Sequence, residues 1–292
     1  MIKKILLFIG ILVSGPLLIY VFLVYQNNRD IPAINKQVLN ARLEKSIQWL
    51  AANESHILVD VNPILWWTLF EAEQRNHDPR LASLLNKYLQ QHASIKSGAW
   101  GPLFGGDQTP HIDSISIADL PYYNQHFIYA LHCARNLARD SELIRQQNAA
   151  DFCYQPAYFF RPACTTHQLI GINFLRQRAC NDVDAIDAVV LRLQQDIVRQ
   201  LTWDVRVVDI YLQRVMMLAI TGAQDRIKPI WIQQILDHQL EDGSWANFVP
   251  LMPIGNGQSL GFSPQILSLG SAAGSFHTTV QGMYLLTMQG LD

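Results

Sequence analysis

Five polar residues stand at the starts of five apolar segments, and their side chains could perform acid–base or metal chemistry. They are Asn62, His126, His167, Asp209 and His277. Imidazole and carboxylate groups can exchange protons or bind an ion such as zinc. We predict that the three histidines and the aspartate are catalytic residues of one cleft, acting by hydrolysis or elimination on a glycan. The alternative is that each is a helix cap or a singly hydrogen-bonded buried residue with no joint role.

The spacing of these residues predicts that they lie at one end of a repeated structure. The steps from His126 to His167 and from His167 to Asp209 are 41 and 42 residues, a period typical of repeated helical hairpins. The two outer steps look like the same unit with an inserted loop. If the hairpins close into a ring, all five residues converge on one mouth. A ring of helix amino termini there would favour a carboxylate, phosphate or sulfate on the ligand.

Further ligand-binding residues are expected around this mouth, because aromatic rings can stack against a sugar or a lipid. We predict this role for Asn62, Trp67, Trp100, Asp107, Tyr122, Tyr123 and Trp245. For the two tyrosines, packing within the wall is an equally good interpretation. Asp107 lies in a run that also fits a solvated turn. No cofactor is predicted, although the histidines and aspartate would be compatible with zinc.

Two kinds of helical segment alternate along the chain. The amphipathic ones are 40–54, 79–92, 141–152, 185–201 and 226–240, and the apolar ones are 62–74, 122–138, 166–178, 208–221 and 276–289. An amphipathic helix buries one stripe, whereas an apolar helix must be buried on most sides. The pattern predicts an all-α fold, an α/α toroid of about five helical hairpins with the apolar helices inside. An open right-handed solenoid is the alternative.

Two long loops interrupt this scheme, over residues 94–120 and 246–275, and both are rich in glycine, serine and proline. Loops of this length in a compact domain are usually lids, binding loops or disordered segments. Both follow an amphipathic helix and a turn that contains Gly and Trp. We expect the tryptophan of each turn to pack between neighbouring hairpins.

The amino-terminal segment predicts a membrane anchor. Residues 5–25 carry no charge and are mostly Leu, Ile, Val and Phe, a run long enough to cross a bilayer as a helix. No small-residue cleavage site follows it. We predict a transmembrane signal-anchor over residues 1–26, a tether over 27–38 and the toroid domain over 39–292. With Lys3 and Lys4 in the cytoplasm, this describes a single-pass inner-membrane protein with a periplasmic or otherwise extracytoplasmic domain.

Four cysteines, Cys133, Cys153, Cys164 and Cys180, are compatible with two disulfides in an oxidising compartment. Three pairings are open. The short connection with two prolines favours Cys153 with Cys164, and Cys133 would then pair with Cys180. The alternative is four buried reduced thiols. The net charge of −2, without a long basic run, argues against nucleic acid as a partner.

The segment 239–245 (QLEDGSW), together with 276–280 (FHTTV), resembles a feature of the α/α-toroid superfamily of terpenoid cyclases and protein prenyltransferases. In that group an outer helix ends in such a turn and an inner helix opens with a short polar segment. The resemblance implies a fold and no activity. The run 182–187 (DVDAID) does not match the acid motif of class II terpene cyclases. No inner helix carries the Asp-x-Cys pair of the prenyltransferase zinc site.

Three functions therefore remain open from the sequence. The first is an enzyme that acts on cell-envelope glycan through the His/Asp cleft. The second is a non-catalytic binding or scaffold subunit of an envelope complex. The third is a lipid- or isoprenoid-processing protein, for which a membrane anchor and an apolar bore would be suited. The expected partners are accordingly the membrane, a glycan or lipid ligand and an envelope protein complex.

Overall fold

The structure is a computed structural model that describes residues 2–106, 117–180, 185–264 and 267–290, with side chains from residue 14 onward. This part of the chain contains thirteen α-helices and one three-stranded sheet. The helices are α1 (Ile2–Asn28), α2 (Lys36–Ala52), α3 (Glu54–Ile57), α4 (Pro63–Asn76), α5 (Pro79–Gln91), α6 (Tyr122–His132), α7 (Arg135–Asp140), α8 (Glu142–Gln146), α9 (Cys164–Gln177), α10 (Ile186–Trp203), α11 (Asp209–Ile220), α12 (Pro229–Asp237) and α13 (Phe276–Gly290). The strands are β1 (Val249–Gly255), β2 (Gln258–Phe262) and β3 (Leu267–Gly270).

Five central helices lie side by side. Helix α6 packs against α9, α9 against α11, α11 against α13, and α13 against α4. The short 3-10 helix Gly101–Phe104 contacts both α4 and α6. Nearly every residue of α11 and α13 is buried, because their apolar side chains meet neighbours on most sides. The more amphipathic helices pack outside this group, α2 on α13, α5 on α4, α10 on α9 and α12 on α11.

Aromatic side chains occupy the space enclosed by the central helices. The ring of Phe174 on α9 meets Trp67 on α4 at 5.2 Å and Phe127 on α6 at 5.9 Å, both in edge-on geometry. Edge-to-face packing at these separations is favourable for aromatic rings. These rings fill the space between α4, α6 and α9 at the centre of the group.

The prediction of an all-α fold is wrong, because the predicted loop 246–275 contains an antiparallel sheet. The strand order is β1-β2-β3. Gly255, Asn256 and Gly257 all have positive φ and form the turn between the first two strands, a conformation for which Gly and Asn are the best-suited residues. The other predicted loop, 94–120, contains the 3-10 helices Ala93–Ser97 and Gly101–Phe104. Its residues 107–116 lie outside the described chain.

The predicted helix 122–138 is divided in two. Cys133 adopts a left-handed conformation with φ of 47° and ends α6. The chain then turns and forms α7 as a separate short helix. The predicted outer helix 141–152 is reduced to α8, five residues long. The outer helices that follow α6 are thus shorter than those beside the other central helices.

The predicted transmembrane anchor is wrong, and so are the membrane and inner-membrane assignments built on it. Within the described part of the chain, no helix combines the length and the apolar character that crossing a bilayer requires. The end of α1 instead belongs to the folded body, and residues 29–35 connect it to α2.

Asn27 attaches α1 to three other helices. Its side chain is 2% exposed. The amide nitrogen donates to the carbonyl of Leu201 at 2.7 Å, and the amide oxygen accepts from the hydroxyl of Tyr211 at 2.8 Å. The indole nitrogen of Trp231 donates to the Asn27 carbonyl at 3.0 Å. These bonds fix the carboxyl end of α1 against α10, α11 and α12.

Two disulfides, Cys133–Cys180 and Cys153–Cys164, stabilise the part of the molecule around α6 and α9. They are the two pairs that the sequence favoured. The first joins the end of α6 to the segment after α9, and the second closes the loop before α9. Disulfides persist in oxidising compartments, so this pair indicates an oxidising, extracellular environment.

The turn at 239–245 fixes the entry to the last hairpin. Gly243 has φ of 93°, a conformation that favours glycine. Trp245 is fully buried, and its indole nitrogen donates to the carbonyl of Ile235 at 2.8 Å. Its ring lies directly against Gly282 of α13, where a Cβ would leave too little space. The tryptophan therefore holds α12 and α13 in place, as a structural residue.

Candidate functional site

A cavity of about 600 Å³ opens at the end where the five central helices begin. Each of α4, α6, α9, α11 and α13 contributes residues, mostly from its amino-terminal part, and the segment 59–62 completes the wall. The polar lining residues are Asp60, Asn62, Thr68, Tyr123, Asn124, His167, Gln213, His277 and Gln281, and the apolar ones are Val59, Val61, Pro63, Ile64, Leu65, Phe127, Ile170 and Met216. A cavity with apolar walls and a few convergent polar groups is typical of a ligand site.

His167 lies in the first turn of α9 and faces this cavity. Its ring stacks on Tyr123 with centroids 4.2 Å apart and 22° between the planes. Burial, and second the proximity of His277, lower the pKa of His167 to about 4, because each disfavours a positive charge on the His167 ring. At neutral pH the imidazole is therefore uncharged and can accept a proton or a hydrogen bond.

Asp209 lies behind the cavity wall, close enough to His277 for the two groups to interact. Burial raises the pKa of the Asp209 carboxyl, and the nearby His277 opposes this rise. Asp209 is the first residue of α11, and its Oδ1 accepts from the backbone N–H of Ile210 at 2.6 Å. It is not itself among the lining residues, but it lies one turn before Gln213, which is.

Two buried amide side chains, those of Gln213 and Gln281, also line the cavity. The Oε1 of Gln213 accepts from the hydroxyl of Thr166 at 2.5 Å. Gln281 is 2% exposed, and its Oε1 has no hydrogen-bond partner among the described residues. A buried acceptor without a donor is costly, so the oxygen of Gln281 is suited to a hydroxyl or amide donor of a ligand.

His126 does not join the other histidines. It is completely buried, and its Nε2 lies 2.8 Å from the amide oxygen of Asn148. The ring lies against Gly171 of α9, where a Cβ would clash with Nδ1. Burial lowers the pKa of His126 to about 4, against the effect of Asn148. Its position supports the alternative expectation of a singly hydrogen-bonded buried residue.

The other predicted ligand-binding residues divide between the cavity and the protein interior. Asn62 and Tyr123 line the cavity, and the Asn62 side chain also accepts from the backbone N–H of Ile64 as the cap of α4. The remaining side chains pack elsewhere: Trp67 beside Glu71, Trp100 against the core, Tyr122 against Tyr158 and Arg161, and Trp245 against Gly282. Asp107 lies outside the described residues.

The amides Gln213 and Gln281 were not among the residues predicted from the sequence, which on these two helices lie in the first turn. Each stands four residues after a predicted site residue, Asp209 or His277. Residues four apart share one face of a helix. A polar residue one turn inside an otherwise apolar helix is therefore the signal that could have identified them.

A second cavity, of about 290 Å³, lies at the opposite end of the central helices. It is lined by Trp67, Phe70, Glu71, Leu131, Phe174, Arg178 and neighbouring residues. Burial raises the pKa of Glu71, although the indole N–H of Trp67 donates to it at 3.2 Å and lowers it. Arg178 donates to the carbonyl of Pro102 at 2.9 Å.

No group of three or more His, Cys, Asp or Glu side chains among the described residues is arranged to hold a metal ion. Comparison of the chain with models of known protein families, with characterised proteins and with solved structures finds no match.

Proposed function

We propose that the protein is an enzyme that acts on a glycan of the cell envelope by acid–base chemistry in the 600 Å³ cavity. The observation that carries this proposal is that His167 and His277, on two different helices, both line that cavity. Two imidazoles in one partly enclosed site can remove and return protons during a single reaction. A histidine that only packs, such as His126, would not need to face open space.

The environments of the two histidines favour different roles. His167 is uncharged at neutral pH, because burial and His277 lower its pKa to about 4, and we assign it as the base. His277 lies in the same cavity near Asp209, and we assign it as the proton donor. Groups whose surroundings differ in this way are typical of acid–base pairs.

The lining favours a sugar over a purely apolar ligand. Gln213, Gln281, Asn124 and Thr68 offer hydrogen-bond donors and acceptors, while Phe127 and Met216 offer apolar contact. A sugar ring presents hydroxyl groups at its edge and C–H groups on its faces, so it can use both. An isoprenoid would leave the buried Oε1 of Gln281 without a hydrogen-bond partner, which is unfavourable.

Incubation of the full-length protein with peptidoglycan and a panel of purified neutral and acidic polysaccharides tests this function. We expect one class to be cleaved into oligosaccharides detectable by mass spectrometry. His167→Ala and His277→Ala should each lower the rate by roughly 10²- to 10⁴-fold. His56→Ala, at an exposed histidine outside the cavity, is the control and should leave the rate unchanged. Equal rates in all three variants, or no glycan bound or cleaved, would contradict the proposal.

The alternative is a non-catalytic glycan-binding protein. It is favoured by the low pKa of His167, about 4, because such an imidazole is a weak base. It predicts that a glycan binds in isothermal titration calorimetry, that His167→Ala weakens this binding, and that no product forms on prolonged incubation.

A further inference from the structure

Resting on the proposed function, we infer that the glycan is a polyuronate, with a carboxylate beside the bond that is broken, and that the bond is broken by β-elimination. Three features of the cavity support this substrate class and this reaction: the orientation of the helices, the unpartnered amide oxygen of Gln281 and the set of ionisable groups in the wall.

The orientation of the central helices favours an anion. Residues near the amino-terminal ends of α4, α6, α9, α11 and α13 line the cavity. Each such end carries a partial positive charge from its backbone N–H groups. Asp60 is the one carboxylate among the described lining residues, and its Oδ1 already accepts from the backbone N–H of Asn62 at 2.8 Å. A carboxylate of the ligand would therefore meet a favourable potential.

The amide of Gln281 points to a hydroxyl group on the same sugar ring as that carboxylate. Gln281 lines the cavity, and its Oε1 is buried and lacks a donor within the described chain. A carboxylate cannot supply a donor, whereas a hydroxyl can. The Nε2 of the same amide can donate to an anionic oxygen. A 4-linked uronic acid residue presents both groups on one ring, with the carboxylate on C5 and a hydroxyl on C3, on either side of the carbon whose C–O bond is broken.

The ionisable groups of the wall favour elimination over hydrolysis. Glycoside hydrolysis by the common mechanisms needs two carboxyl groups on opposite sides of the bond. Asp60 alone is present in the described wall. Elimination needs instead a neutral base, a proton donor and a means of stabilising negative charge on the carboxylate, which His167, His277 and the helix ends can provide.

The step is balanced without a metal, water or oxidant. His167 takes the proton from the carbon next to the carboxylate. The electron pair of that C–H bond forms a C=C bond to the neighbouring carbon, whose C–O bond to the next sugar breaks. The departing oxygen receives a proton from His277, and transfer of the first proton through solvent restores both imidazoles.

Paired polymers test this inference on the full-length protein. Polygalacturonate, alginate and hyaluronan would each be compared with a carboxyl-reduced, neutral counterpart, in ordinary water and in water labelled with oxygen-18. We expect cleavage of at least one acidic polymer, products with ultraviolet absorbance from the new conjugated C=C bond, and no label incorporated. Labelled products, or equal cleavage of a neutral counterpart, would overturn elimination or the carboxylate requirement while the proposed function stands. If no polymer is bound or cleaved, the proposed function fails too.

A charge substitution at Gln281 tests the placement of the carboxylate. Gln281→Glu brings a like charge to the ligand and should weaken binding of the acidic polymer at least tenfold. Gln281→Leu loses hydrogen bonds without adding charge and should have a smaller effect. Gln37→Glu, at an exposed position, controls for net charge, and thermal unfolding checks that each variant folds. Binding by Gln281→Glu equal to that by Gln281→Leu would place the carboxylate elsewhere.

Discussion

The two ends of the central helices differ in the groups that line them. At the amino-terminal end, His167, His277 and buried amides surround about 600 Å³. At the carboxyl-terminal end, the smaller cavity of about 290 Å³ has Trp67, Phe174, Glu71 and Arg178 in its wall. Helix ends carry opposite partial charges, so Arg178 suits the second end and an anionic ligand suits the first. Because the central helices run in the same direction, the cavity at their amino-terminal ends and the cavity at their carboxyl-terminal ends suit ligands of opposite charge.

The largest effect is expected where the two cavities are separated. Phe174 is 3% exposed and packs between Trp67 and Phe127. Phe174→Ala would join the cavities and should lower the free energy of unfolding by about 3–5 kcal/mol, measured by denaturant titration. The control is Phe159→Ala, because Phe159 is 61% exposed and should cost less than about 0.5 kcal/mol. Similar losses in both variants would mean that Phe174 does not separate the ends.

Acid should weaken the fold through the histidines near the amino-terminal end. Folding lowers the pKa of both His126 and His167 from 6.5 to about 4. The unfolded chain then binds protons that the folded chain does not, so stability falls as the pH drops from 6.5 towards 4. Each histidine accounts for about 3 kcal/mol of this fall. His167→Gln should remove the contribution of His167 to the pH dependence of the free energy of unfolding, measured by denaturant titrations across this pH range. An unchanged pH dependence would contradict the lowered pKa of His167.

The same two histidines should respond differently to a ligand. His167 faces Tyr123 and His277 in the open cavity, whereas His126 is enclosed against Gly171. A bound carboxylate should raise the pKa of His167 and leave that of His126 unchanged. Nuclear magnetic resonance titration of the imidazole signals, with and without the cleaved polymer, measures both. Parallel changes in the two histidines would remove the distinction between them.

A smaller effect is expected at the cap of α4. Asn62 lines the cavity and its Oδ1 accepts from the backbone N–H of Ile64. Asn62→Ala should cost about 1 kcal/mol of stability and should also weaken ligand binding. Asn35→Ala removes the equivalent cap of α2 and should cost about the same without affecting the ligand. Equal ligand affinity in the two variants would exclude Asn62 from the site.

The smallest effect is expected at the opposite cavity. Burial raises the pKa of Glu71 above its ordinary value, so the ionised side chain is disfavoured in the folded state. Glu71→Gln should therefore be slightly more stable than the natural protein at neutral pH. The difference should shrink as the pH falls, since the natural glutamate then becomes protonated. Unfolding titrations at two pH values measure it, and a growing difference in acid would contradict the raised pKa.

The central helices were predictable, but the direction of their side chains was not. All five apolar segments form helices, because their residues are apolar on most sides. His126 stands between Tyr123 and Phe127, which both face the cavity. One residue turns the side chain by about 100° around the helix axis. The sequence does not fix that rotation, nor does it show the hydrogen bond between the His126 ring and the amide oxygen of Asn148.

The sheet and the first helix were misjudged for different reasons. Pro250 and Pro253 interrupt the alternation in β1, which hid the strand, although the Gly255–Gly257 turn was a readable hairpin signal. The segment 5–25 was judged by its own composition. The buried bonds of Asn27 to distant helices cannot be read from neighbouring residues.

The clamp at Asn27 bears on how this protein can be shortened for experiments. Removing everything up to Asn28 would take away the hydrogen bonds that Asn27 makes with Leu201, Tyr211 and Trp231. No other described residue replaces Asn27 as the partner of these three groups. Each orphaned group would cost about 1–3 kcal/mol, a large share of the net stability of a typical domain. A fragment designed to begin with α2 would lack these bonds, so a stable truncated protein has to begin before Asn27.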